Sequence, residues 1–138
     1  MRELTLSPEL ISWIKANMSN APDLRRVRIV CAPTIPFDWL PGNRAQYVGI
    51  TLWDKIWLRE PFELKEEAAY ELLFHELVHV RQFQRRPIKF PLMYILQLRL
   101  NGYRNHPAEI EARTIAAKLR ALYFGETDGL KARPTIDM

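Results

Sequence analysis

The most restrictive feature of this sequence is the pattern H-E-x-x-H, which lies inside a long segment without glycine or proline. Residues 64–86 are rich in good helix formers and are followed by Pro87, so they are predicted to form one helix. Residues four apart share a helix face, which lets His75 and His79 reach one ion. Glu76 lies one step round the helix, close enough to hold a water at that ion. This arrangement is typical of a hydrolytic zinc site, and we expect Zn²⁺ as the cofactor.

An alternative interpretation is an amphipathic core helix whose histidines are incidental. Its buried side would consist of Leu72, Leu73, Leu77, Val78 and Val80. However, the chain has only three histidines, and two of them are four residues apart with glutamate in the required position. A core helix would also gain nothing by burying Glu76, because an unpaired buried carboxylate is costly. The pattern therefore favours a metal site.

Length and composition indicate a single globular domain. The chain has 138 residues, enough for a hydrophobic core without disulfides, and its one cysteine, Cys31, is expected to be a small buried residue. No apolar run approaches the length of a membrane span, and the first residues lack the apolar segment of a signal peptide, so we expect a cytoplasmic protein. The net charge is +4, but the basic residues are scattered, so nucleic acid is not an expected partner.

The segments before the H-E-x-x-H helix predict one helix and three strands. Ser7 is placed to cap a helix whose first residue is Pro8. Residues 27–32, 47–52 and 55–58 are predicted strands, with a tight turn at residues 53–54 between the last two. Residues 33–42 form a proline-rich loop whose aromatic side chains, Phe37 and Trp39, could pack on the core or line a cleft.

Two further helices are predicted after Pro87. One starts at Pro91 and extends towards Tyr103, and it is apolar enough to be mostly buried or to meet a partner protein. The last helix covers residues 107–124 and ends at Gly125. We therefore expect one domain over residues 1–125, followed by a polar and poorly ordered tail over residues 126–138.

A catalytic zinc usually takes a third protein ligand, which the H-E-x-x-H pattern does not supply. The candidates are His106, Glu109 and Glu111. The two glutamates flank the apolar stripe of the last helix on opposite sides, so periodicity does not choose between them. Glu109 could also simply face the helix dipole, with His106 or Asn105 as the cap.

H-E-x-x-H followed on a later helix by Glu109-Ile110-Glu111-Ala112 resembles the gluzincin metallopeptidases, and the short chain is similar to the soluble minigluzincins. The resemblance covers residues 47–123 and implies an α+β, zincin-like fold. In that fold a small mixed or antiparallel sheet packs against the H-E-x-x-H helix and a C-terminal helix. It selects Glu109 as the third ligand. Arg113 stands where the family has an aspartate that supports a histidine ligand, and Glu111 is a candidate for that supporting role.

The resemblance also implies a zinc peptidase acting on a peptide or protein substrate, with Glu76 as the general base. His106 and Tyr103 are candidate hydrogen-bond donors to the developing oxyanion, as is Tyr94, although packing or capping would equally explain them. The competing hypothesis is a binding or regulatory module that keeps the fold without turnover. An intact Glu76 favours the enzyme, because a structural zinc needs no general base.

Overall fold

The computed structural model describes residues 1–38 and 48–131, and the side chains up to residue 125. The strands are β1 (Arg2–Leu4), β2 (Arg28–Ala32), β3 (Gly49–Leu52) and β4 (Lys55–Arg59). The α-helices are α1 (Pro8–Asn17), α2 (Glu67–Arg85), α3 (Lys89–Asn101) and α4 (Pro107–Lys131), and a short 3₁₀ helix (Leu24–Arg26) precedes β2. The fold is α+β, as predicted.

The four described strands form one mixed sheet in the order β1-β2-β4-β3. β1 pairs antiparallel with β2, β2 pairs parallel with β4, and β4 pairs antiparallel with β3. The β3–β4 register places Thr51 opposite Ile56 across the predicted turn at residues 53–54. β3 is therefore an outer strand of the described sheet.

The core lies between this sheet and the helices α1, α2 and α4. Its fully buried side chains come from every layer and include Ile14, Ile56, Leu58, Leu73, Phe74, Leu77 and Val78. α2 is buried on several sides at once, because it packs against β3 and β4 on one side and against α4 on another. The helix that carries the H-E-x-x-H pattern is thus the central element of the fold.

Several local predictions are confirmed. The hydroxyl of Ser7 accepts a hydrogen bond from the Leu10 amide at 3.1 Å, and Pro8 is the first residue of α1. Cys31 is fully buried in β2, and burial raises the pKa of its thiol. α2 ends at Arg85, just before Pro87. No helix in the described ranges is long and apolar enough to cross a membrane.

One strand was not predicted, and three predictions need correction. β1 was missed, because three residues are too few to show a period of two. α3 begins at Lys89 rather than Pro91, since proline is tolerated in the first turn of a helix. None of the residues of α3 is buried, which rules out one of the two alternatives given for this helix. α4 continues past Gly125, because one glycine costs only about 1 kcal/mol in a helix.

Part of the sequence analysis concerns residues that the structure does not describe. Trp39 and the end of the proline-rich loop, residues 39–42, lie outside the described residues, as does the predicted start of β3 at Tyr47. Residues 132–138 of the predicted tail also lie outside them, while residues 126–131 belong to α4.

Candidate metal centre

His75, His79 and Glu109 meet where α2 packs against α4. The Nε2 atoms of the two histidines lie 3.2 Å apart, and Glu109 Oε1 lies 3.1 Å from His75 Nε2 and 3.2 Å from His79 Nε2. Among the described residues these three form a group that could hold a metal ion. Neither Glu111 nor His106, the other candidates for the third ligand, belongs to the group.

The distances within this triangle fit a tetrahedral zinc site. Zinc bonds to histidine nitrogen and carboxylate oxygen are about 2.0–2.2 Å long, so neighbouring ligand atoms of a tetrahedron lie about 3.3–3.6 Å apart. The observed separations of 3.1–3.2 Å are slightly below the lower end of that range. The side chain of Glu109 is only 4% exposed and that of His75 is 15% exposed, so the centre opens to solvent on the side of His75.

The electrostatics of the group favour a positive charge at the point where the three side chains meet. Burial disfavours charge on Glu109, but hydrogen bonds from His75 and His79 outweigh it and hold the pKa of the carboxyl far below its usual range. Burial likewise opposes charge on His79. Its hydrogen bond to Glu109 and the negative charge of Glu76 nevertheless raise the pKa of the imidazole. A bound cation would satisfy the same demand.

Side chains around the group fix the orientation of His79. Gln82 Nε2 donates to the Ala108 carbonyl at 3.2 Å and to Glu111 Oε1 at 2.7 Å, which leaves Gln82 Oε1 as an acceptor. Gln82 Oε1 lies 2.8 Å from His79 Nδ1, so His79 Nδ1 is protonated and donates a hydrogen bond to Gln82 Oε1. In neutral His79 the lone pair is then on Nε2, the atom that faces the group.

Glu109 is held by Tyr94, whose hydroxyl donates to Glu109 Oε2 at 2.6 Å. The sequence did not predict this contact, because Tyr94 was named only as a candidate oxyanion donor. Tyr94 and Glu109 lie on different helices, so their spacing in the sequence does not indicate that they pair. Arg113, in place of the aspartate of the family pattern, instead donates to the backbone carbonyl of Arg104.

The carboxylate of Glu76 is buried against β3. Its Oε1 accepts a hydrogen bond from the Thr51 hydroxyl at 2.6 Å, and only 4% of the residue is exposed. Gly49 passes so close that an added Cβ would lie 3.1 Å from Glu76 Oε2 and 3.3 Å from its Cδ. A glycine at this position lets the strand approach the carboxylate, and neither β3 residue was singled out from the sequence.

His106 and Tyr103 were candidate catalytic donors, with packing or capping as the alternative for each. His106 is fully buried, its Nδ1 accepts from the Ala108 amide at 3.0 Å, and its Nε2 donates to the Tyr94 carbonyl at 2.8 Å. Both ring nitrogens are therefore used in capping α4 and joining it to α3, which was the alternative interpretation. Tyr103 lies in the turn after α3 with 41% of its surface exposed.

Comparison with known proteins finds no matching protein-family model, no matching curated protein and no matching solved structure.

Proposed function

We propose that this protein is a zinc-dependent peptidase with a zincin-like fold, in which His75, His79 and Glu109 bind the metal. The observation that carries the proposal is the triangle of ligand atoms at 3.1–3.2 Å, built from an H-E-x-x-H helix and one buried glutamate of a later helix. The residues that the gluzincin pattern points to also lie together in this triangle, which supports the proposal. Bound there, zinc would supply Lewis acidity, which lowers the pKa of water and polarises a carbonyl group.

In this proposal Glu76 is the general base. Its carboxylate takes a proton from the attacking water and delivers it to the leaving amine. The hydrogen bond from Thr51 to Oε1 and the close approach of Gly49 limit where the carboxylate can move, so it meets the water in a fixed position. Its place on α2, directly after His75, keeps it beside the metal ligands.

The substrate is proposed to lie along β3. As an outer strand of the described sheet, β3 offers backbone donors and acceptors to an extended peptide, which would bind as an added strand. The contacts of Gly49 and Thr51 with Glu76 place this strand next to the proposed base. A peptide held there would have its scissile bond near both Glu76 and the metal ligands.

The test is hydrolysis of an unfolded protein such as reduced casein by the zinc-loaded chain and by Glu76→Gln. Glutamine keeps the shape of the side chain but does not accept the proton, so the variant should bind zinc normally and lose hydrolysis. Thr5→Val, far along the chain from this site, serves as the control. Cleavage by Glu76→Gln at the parent rate would refute the role of Glu76. Stoichiometric zinc without cleavage of any peptide would instead favour the non-catalytic binding module.

A further inference from the structure

The outward face of α3 is a continuous apolar surface. Ile88, Leu92, Leu96 and Leu100 follow one another at intervals of four and therefore form one ridge along the helix. They are 76%, 65%, 49% and 71% exposed, respectively. Ile95 flanks the ridge at 58% exposure. Exposed aliphatic side chains in one continuous row mark an interaction surface.

The opposite side of α3 packs on the rest of the protein, which keeps the ridge exposed to solvent. Phe90 packs edge to face on Phe83 of α2, with ring centroids 4.8 Å apart. Tyr94, one turn further along, reaches Glu109 through its hydroxyl. Because the inward side of the helix is held at these points, the ridge does not turn into the core by a simple rotation of α3.

The surroundings of the ridge are strongly basic. The sequence has no aspartate or glutamate between Glu76 and Glu109. The exposed basic residues of this stretch are Arg85, Arg86, Lys89, Arg99 and Arg104. Arg85 and Arg86, together with Arg81 and the acidic Glu111, also line a cleft of about 380 Å³ beside the start of α3. The surface therefore combines an apolar ridge with positive charge at both of its ends.

Trp53 extends the surface beyond the start of α3. It is 49% exposed, its Nε1 donates to the Pro87 carbonyl at 2.8 Å, and its ring lies 5.3 Å from that of Phe83. The indole is thus held next to Ile88, the first residue of the ridge. Tryptophan with one buried and one exposed side suits the boundary between apolar and polar surroundings.

From these observations we propose that the outward face of α3, with Trp53, binds the surface of a lipid bilayer that contains anionic lipids. The 13-residue helix is about 20 Å long, shorter than the hydrocarbon core of about 30 Å, so it would lie in the plane of the interface. The ridge would enter the acyl boundary while the arginines and lysine contact lipid phosphates. This proposal does not depend on the peptidase function.

A second copy of the chain fits the same face less well. Two-fold pairing of the ridges would bring Lys89 and Arg99 of each copy towards the basic residues of the other, with no acidic residue in either α3 to balance them. A protein partner also fits less well, because the ridge consists of leucine and isoleucine, and leucine is under-represented at the residues that dominate protein interfaces.

The test is flotation of the full-length chain with vesicles of phosphatidylcholine alone or mixed with phosphatidylserine. We expect binding to the mixed vesicles that weakens with added salt, and little binding to the neutral ones. The double variant Leu92→Ser/Leu96→Ser should lower the partition coefficient about tenfold or more. Val48→Ser/Leu122→Ser, which changes two exposed apolar residues elsewhere, should leave it unchanged. Lys89→Gln/Arg99→Gln should lower binding to mixed vesicles about 30-fold.

Several results would overturn the proposal. They are the absence of binding to mixed vesicles, equal binding to neutral vesicles, and unchanged binding by the Leu92/Leu96 variant. Sedimentation that shows a dimer abolished by the same variant, together with no vesicle binding, would assign the face to a second copy. Folding is checked by circular dichroism, and because both leucines are exposed the variant should unfold at the parent temperature.

Discussion

Glu109 and Glu111 are two residues apart on α4, and exchanging each for alanine gives a sharp comparison. Glu109 is 3% exposed and touches both histidines, whereas the side chain of Glu111 is 46% exposed and contacts Gln82 and Arg81. Glu109→Ala removes one proposed ligand, while Glu111→Ala removes only a support of Gln82. The first change should therefore weaken zinc binding far more than the second.

The size of the difference follows from the number of ligands. Apparent binding free energies of about 10–16 kcal/mol for four-ligand zinc sites correspond to about 2.5–4 kcal/mol for each ligand. Losing one ligand then raises Kd by about 10²–10³-fold. Groups that only orient a ligand typically account for about 10–100-fold, and Glu111 acts through Gln82, so we expect at most about tenfold for Glu111→Ala.

The assay is a competition titration with a chromophoric chelator, followed at constant pH. Glu109→Gln serves as a companion, because it keeps the side-chain volume and a partner for the Tyr94 hydroxyl while removing the negative charge. It should weaken zinc binding nearly as much as Glu109→Ala. The reverse ranking of Glu109 and Glu111 would refute the ligand assignment, and equal small effects of the two changes would point to His106.

Three further changes test separate contacts. Tyr94→Phe removes the hydrogen bond to Glu109 Oε2 and should weaken zinc binding about 10–100-fold in the same titration. A change below twofold would show that Tyr94 does not orient Glu109. Gly49→Ala would place a Cβ 3.1 Å from Glu76 Oε2 and displace the carboxylate. It should therefore lower kcat for peptide hydrolysis about tenfold and leave the zinc content unchanged. An unaltered kcat would contradict the role of Gly49 in positioning Glu76. Leu77 is fully buried, so Leu77→Ala should lower the free energy of unfolding in urea by about 2–5 kcal/mol. Leu92 is exposed, so Leu92→Ala should lower it by less than about 0.5 kcal/mol. Similar values for the two variants would contradict the burial of Leu77 and the exposure of Leu92.

The sequence was most informative where local chemistry dominates. Ser7 and Pro8 define the start of α1, and Pro87 marks the end of α2, because caps and prolines act through the backbone of their own segment. The i,i+4 spacing of His75 and His79 on a helix is equally local. These features require no knowledge of how the helices pack.

The parts that the sequence did not reveal depend on packing between distant segments. Glu109 and Glu111 are equivalent in periodicity, so only the family resemblance selected Glu109 beforehand, and the contact between α2 and α4 brings Glu109 to the histidines. Tyr94 and Thr51 act on Glu109 and Glu76 across gaps that carry no sequence signal. Whether α3 is buried or exposed was left open for a similar reason, since an apolar helix has the same sequence pattern whether it faces the core or the solvent.

The most direct test of the proposed zinc centre is the metal content of the purified chain, measured by mass spectrometry after dialysis against zinc-containing buffer. We predict one zinc per chain for the parent and for His106→Asn, since His106 caps α4 and asparagine also caps helices. We predict no stoichiometric zinc for His75→Ala/His79→Ala. Stoichiometric zinc that persists in this double variant would contradict the proposed metal centre.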